Sequence, residues 1–162
     1  MPKLIKNNAA QDNSWVTIAD QEGLAKADLA NGKYLVPLEL WQQNTELHNA
    51  NIGVWLNGDT NPSLLTQQLK SAPAIAIEFS AFADGRGFSL ARILREDCDF
   101  SGELQATGEY MQDQLYYLKR CGFDAFAVPD DANIDSMLAS LQDFTNNYQA
   151  SHDEPRPLFR RR

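Results

Sequence analysis

The chain has 162 residues, 43% of them hydrophobic, and a formal net charge of −8. That length and apolar content suit one compact domain with an ordinary core. No apolar run approaches the roughly 18 residues a membrane helix requires, and the acidic balance speaks against sequence-independent nucleic-acid binding, which needs a basic surface.

The segment Ser151–Arg162 holds four Arg against one Asp and one Glu, so it carries +2 and the rest of the chain −10. Such a body favours solubility and contact with a basic protein. The start, Met1–Asn8, lacks the apolar stretch of a signal peptide, which predicts a cytoplasmic protein.

Taken in order, the opening residues are polar and read as irregular. Trp15–Ile18 alternates like an edge strand. Gln21–Ala30 reads as a short helix or a loop, and Asn31-Gly32 as a turn. Lys33–Val36 reads as extended, and Pro37 suits the first turn of a helix carrying Leu38, Leu40, Trp41 and Leu47. Ile52–Leu56 is a short apolar strand before the turn Asn57–Asp59. Asn61 and Pro62 have the form of a helix start, with Leu64, Leu65 and Leu69 inward.

Ala74–Phe79 shows no polar alternation until Glu78, the pattern of a strand covered on both faces. The helix after it turns Leu90, Ile93 and Leu94 inward. Gly102–Ala106 is a strand. Tyr110–Cys121 is a helix with Met111, Leu115 and Leu118 inward, stopped by Gly122. Asp124–Val128 is a strand closed by Pro129, and Ile134–Tyr148 is a last helix with Met137, Leu138, Leu141 and Phe144 inward.

Strict alternation of strand and helix implies an α/β fold with parallel strands and right-handed crossovers. The expectation is a sheet of about four or five strands with helices on both faces, the alternative being a partial β/α barrel. Residues 1–50 read as an N-terminal extension packed on the main domain, 51–150 as a βα-repeat domain and 151–162 as a flexible tail.

In such sheets ligands sit at the carboxyl ends of the strands. The junction from Glu78 to Arg92, strand to Gly-rich turn to helix, holds Asp84, Gly85, Arg86, Gly87, Ser89 and Arg92. Two glycines around Arg86 permit unusual dihedrals and close approach of a ligand. Arg86 can hold an anion in a bidentate way beside a helix N-terminus. The competing reading is a tight turn with Arg86 paired to Asp84 or Glu78. Glu78 itself reads as a general base or as the partner of a nearby Arg. Asp113, Tyr117 and Arg120, with Gln114 beside them, form a second candidate face, read otherwise as a solvated helix surface.

Cys98 and Cys121 are too far apart for a CxxC pair, and His48 and His152 show no ligand spacing, so no metal is expected. The thiols read as reduced, one of them buried. With two histidines near no motif, a Ser-His-Asp triad has no support. No cofactor is predicted; a bound flavin is the one redox group left open.

Three runs, Phe82–Arg95, Gly102–Gly108 and Asp113–Phe126, resemble a bacterial family of unknown function. Its members are encoded beside assimilatory sulfite reductase and are often labelled oxidoreductases of sulfite reduction. The likeness spans roughly residues 50 to 127. The residues that match the pattern are Asp84, Gly85, Arg86, Gly87, Ser89, Arg92, Arg95, Asp113, Gln114 and Arg120. Gln105 departs from it, standing where the pattern implies Arg. The resemblance implies a role in sulfate assimilation and cysteine biosynthesis, with sulfite reductase or its electron donor as partner. It supplies no catalytic residue. Sulfite reduction takes electrons through metal or organic cofactors, for which these residues offer no ligand set. The expected function is therefore an accessory protein acting by contact. The alternatives are an enzyme or binding protein for a small anionic metabolite and a flavin-binding electron-transfer module.

Overall fold

The computed structural model describes residues 3–81 and 85–142. Two short strands come first, β1 (Lys3–Lys6) and β2 (Ala9–Asp12), paired antiparallel. Asn7 and Asn8 join them with φ of 54° and 59°, the left-handed pair that a two-residue hairpin turn needs and that Asn tolerates better than most residues. The opening residues are therefore a hairpin, not irregular chain. Leu4 and Ile5 are both buried, one on each side of the sheet.

Next come β3 (Trp15–Thr17) and α1 (Gln21–Lys26), whose first turn is capped by Asp20 accepting from the Gly23 amide at 2.8 Å. β4 (Lys33–Pro37) runs directly into α2 (Leu38–Gln43), and β5 (Ile52–Asn57) follows. Between β5 and β6 (Ala74–Phe79) the expected α-helix is absent: two 3-10 segments, Pro62–Leu64 and Gln67–Ser71, take its place. Asn61 does cap the first, accepting from the Ser63 amide at 3.0 Å. Thr66 is extended between the two, and Pro73 holds Ala72 out of the helical region. Too few residues remain for an α-helix to propagate.

α3 (Arg86–Glu96), β7 (Glu103–Gly108), α4 (Leu115–Cys121), β8 (Ala125–Val128) and α5 (Ile134–Ser140) complete the order. α4 starts later than its spacing suggests. Met111 is extended and exposed rather than inward, and its amide donates to Gln114 Oε1 at 2.8 Å at the head of a 3-10 turn. Gly122 ends α4 at φ 115°, a left-handed cap. The reading of α5 past residue 142, with Phe144 and Tyr148, and the tail 151–162 lie outside the described residues.

The described strands form one eight-stranded sheet in the order β2-β1-β8-β7-β6-β5-β4-β3. From β3 to β8 each strand lies parallel beside its predecessor. A doubly wound sheet reverses direction once, which sends helices to both faces. Here the direction never reverses, so right-handed crossovers put every helix on one side. The sheet curls into a half-barrel. Helices on both faces are thus replaced by the alternative, a partial β/α barrel. Strands from the first 50 residues lie in the same sheet as the rest.

The convex face carries the core. Val36, Val54, Leu56, Ile75, Ile77, Leu104 and Phe126 from the strands pack on Trp41, Leu90, Leu94, Leu115 and Leu118 from the helices. Cys98 and Cys121 form no disulfide and lie inside it, both buried rather than one. At the amino-terminal end of the parallel strands, Arg95 ties three chain segments together. Its Nε donates to the Gly122 carbonyl at 2.9 Å, and its Nη1 to those of Phe100 and Gly102 at 3.0 and 2.8 Å.

Candidate functional site

The concave face is built from different residues. Side chains alternate along each strand, so the positions between the convex residues point inward. Register places Pro37, Trp55, Ala76, Gln105 and Ala125 side by side across β4 to β8. One step toward the carboxyl ends lie Asn57, Glu78 and Thr107. One step the other way lies Ala74, opposite Glu103. The apolar cluster among the described residues here is thin: Leu35, Ala74 and Ala76, with Trp15 and Trp55 packed against them.

Small residues between larger ones leave a hollow. A cleft of about 650 Å³ opens on this face, lined by Asn13, Trp15, Val16, Thr17, Ala19, Trp55, Glu78, Gln105, Thr107 and Gly108. Trp15 is held on the edge strand with the Lys33 ammonium 5.4 Å from its ring centroid. Gly108 has φ +84°, and a Cβ there would stand 2.4 Å from the Phe79 carbonyl oxygen. Only glycine lets β7 end this close to β6.

Gln105 is the unusual member. It is 1% exposed, and neither its side-chain oxygen nor its nitrogen has a hydrogen-bond partner among the described residues. A buried amide left unpaired costs about 1–3 kcal/mol. The neighbouring inward carboxylate, Glu103, is served on one oxygen by Lys6 Nζ at 2.5 Å, while its other oxygen is buried and unpartnered. Glu78 is half-buried at the cleft and makes no ion pair among the described residues.

The junction after β6 lies elsewhere. Asp84 is outside the described residues. Gly85 precedes α3 at φ −85°, an ordinary conformation, and among the described residues a Cβ there would meet only Phe88, at 4.0 Å. Gly87 is buried in the first turn of α3, where a Cβ would come within 2.6 Å of the Phe79 ring. Close helix–strand packing accounts for that glycine, and neither glycine adopts the unusual dihedral expected of the turn. Arg86 and Ser89 are exposed on α3, and exposed Arg92 lies 3.6 Å from Glu96.

The second candidate face divides. Asp113 is exposed in the 3-10 turn, Gln114 caps that turn, and Tyr117 is exposed over Phe88 at 5.0 Å between centroids. Arg120 is 8% exposed, inside the protein, so it does not share a solvated surface with Tyr117. Of the described residues proposed from sequence as a site, Glu78 alone lines the cleft, together with Gln105, the departure from the family pattern.

Nearby, Tyr110 donates its hydroxyl to the Ala127 carbonyl, and burial pushes its phenol well above the usual range. Burial likewise raises the Cys98 thiol. Among the described residues there is no group of three or more metal-ligating side chains. No helix there is long and apolar enough to cross a membrane.

Trp15 and Trp55 escape sequence reasoning as cleft residues, whereas Thr107 lies at a strand carboxyl end, where a ligand is expected. A signal was present: Gly53 and Trp55, then Ala74, Ala76 and Glu78, then Gln105 and Thr107 recur at every second position, as a sheet with one open face requires. No curated protein and no solved structure matches the chain. Residues 53–159 match a family model, and that span holds Trp55, Glu78, Gln105, Thr107 and Gly108 but not Trp15. The chain belongs to the family described as bacterial proteins of unknown function, DUF934.

Proposed function

We propose that the protein is an accessory of assimilatory sulfite reduction that works by binding. It meets sulfite reductase or its electron donor by protein–protein contact, and its concave cleft is the working site. The observation that carries a binding role is the hollow. A closed β/α barrel fills its interior with bulky branched side chains. This half-barrel instead places Ala74, Ala76 and Ala125 at inward positions and leaves about 650 Å³ open beside two tryptophans. That volume lies within the range of about 300–1,000 Å³ typical of small-ligand sites.

Among the described residues the lining supplies one carboxylate, Glu78, and no Lys, Arg, His or Cys. It offers hydrogen bonds and ring contact rather than an acid–base pair or a thiolate nucleophile. Glu78 makes no ion pair among the described residues, so its carboxylate also disfavours an anionic ligand next to it. The pathway assignment is supported by the resemblance of residues 50 to 127, and the acidic body supports a basic partner.

The test is affinity purification of the tagged chain from cells grown on sulfate as sole sulfur source, beside a deletion strain. Recovery of sulfite reductase or its donor, with slowed growth that cysteine restores, is expected. Normal growth on sulfate together with recovery of no sulfur-assimilation enzyme overturns the proposal.

A further inference from the structure

Deepening the binding role just proposed, we infer that the cleft takes a planar, uncharged heteroaromatic ring presenting an N–H and a C=O, or an amino group and a ring nitrogen, side by side on one edge. The inference rests on the concave cleft being a binding site.

Gln105 sets the edge. Its amide offers one acceptor and one donor pair in a fixed plane. Both ends are buried and unpartnered among the described residues, and the residue lines the cleft. A planar amide or amidine satisfies both at once, the bidentate pairing by which Gln and Asn read adenine. A lone hydroxyl or a lone cation satisfies only one.

The ring is set by what lies beside that amide. Ala76 is Gln105's neighbour on β6, and Trp55 is Ala76's neighbour on β5. A methyl group between an indole and an amide makes a low step in the row, against which a flat molecule can lie. Trp15 borders the same space from the edge strand. Stacking on tryptophan suits any ring with a π face.

Charge narrows the class. Glu78 stands one step beyond Gln105 toward the carboxyl ends of the strands, with Thr107 beside it. The carboxylate accepts from a further N–H or O–H of the ligand and repels a phosphate. The neutral forms, a nucleoside or riboflavin rather than their phosphates, are therefore the favoured probes.

The experiment titrates the full chain with riboflavin, uridine and adenosine, reading tryptophan fluorescence and the thermal midpoint. Two of the three tryptophans line the cleft, and the third, Trp41, is buried in the convex core. At least one probe quenches fluorescence and raises the midpoint, as a ligand of the native state must. Its N-methylated analogue, blocked at the paired edge, binds on the order of ten-fold more weakly.

Gln105→Leu loses binding by a similar factor while its own midpoint holds or rises, because an unpaired buried amide has been removed. Trp15→Ala, on a three-residue edge strand, serves as the second variant and also weakens binding. No response to any probe, or equal binding by the blocked analogue or by Gln105→Leu, overturns the inference. So does a dimer in sedimentation velocity that shields both cleft tryptophans and ignores the probes. Recovery of sulfite reductase without probe binding removes the ligand assignment alone; probe binding without that recovery removes the pathway role alone.

Discussion

The two faces of this sheet are made from the same strands and differ in nearly every inward or outward position. On β6, Ile75, Ile77 and Phe79 face the helices, while Ala74, Ala76 and Glu78 face the hollow. On β7, Leu104 and Ala106 pack outward while Gln105 and Thr107 turn inward. The convex side maximises apolar area removed from water, the dominant stabilising term in folding. The concave side gives up that gain and even leaves an amide unpaired. One face holds the protein together; the other is free to be shaped by what it binds.

The largest expected effect sits on the convex face. Ile77→Ala opens a cavity in a fully buried position and costs about 2–5 kcal/mol. Trp55→Ala removes a larger side chain but from a half-buried place on the thin cluster, and it costs less. Chemical denaturation of both variants checks the order. A larger loss for Trp55→Ala would break the contrast between the faces.

Gly87→Ala comes next. Its new methyl meets the Phe79 ring at 2.6 Å. That ring cannot retreat, since Phe88, Tyr110 and Phe123 crowd it at 5.3, 6.3 and 5.9 Å between centroids. Overpacking of this kind costs about 1–3 kcal/mol. Gly85→Ala has open space and an ordinary φ, so its thermal midpoint shifts by no more than about 0.5 kcal/mol implies. Equal losses would show that the turn, not the packing, needs its glycines.

Tyr110 gives a pH test of the same packing. Its folded phenol titrates above the ordinary value of 10.0. Above pH 10 the unfolded chain loses that proton while the folded chain keeps it. Stability is therefore full below pH 10 and falls as pH rises toward the folded value, by at most about 1.4 kcal/mol per pH unit. Tyr110→Phe removes this part of the slope. At neutral pH the variant is less stable by about 1 kcal/mol, the loss of the hydrogen bond to Ala127. Denaturation curves at pH 8 to 11 compare the two proteins.

The elements with strong local signals were legible. Ala74–Phe79, the Gly122 cap and the short strand before Pro129 all lie where hydrophobic pattern and backbone chemistry put them. Elements decided by long-range pairing were not. Lys3–Lys6 forms a strand between β2 and the edge that β8 offers it, and every residue of Ala9–Asp12 is exposed, so no periodicity marks it. The glycine-rich junction drew attention because glycine is conspicuous, yet Gly87 answers to the Phe79 ring. Gln105 was visible only as one polar residue in a strand. Its meaning depends on Trp55 and Ala76, which lie 50 and 29 positions away in the chain and become its row-mates only through register.

Pairing of β1 with β8 joins Lys3–Lys6 to Ala125–Val128, and it has a consequence for assembly during synthesis. From β3 to β8 the half-barrel adds each strand beside the one just made, a route of comparatively short loop closures. The β1–β2 hairpin has no such place beside β3 when it leaves the ribosome. Its place in the sheet exists only after more than a hundred further residues have emerged, and non-local pairing of that kind is slow. The hairpin is thus made before β3 to β8 but docks after them, and Leu4 and Ile5 remain exposed to water, or to a chaperone, until β8 arrives.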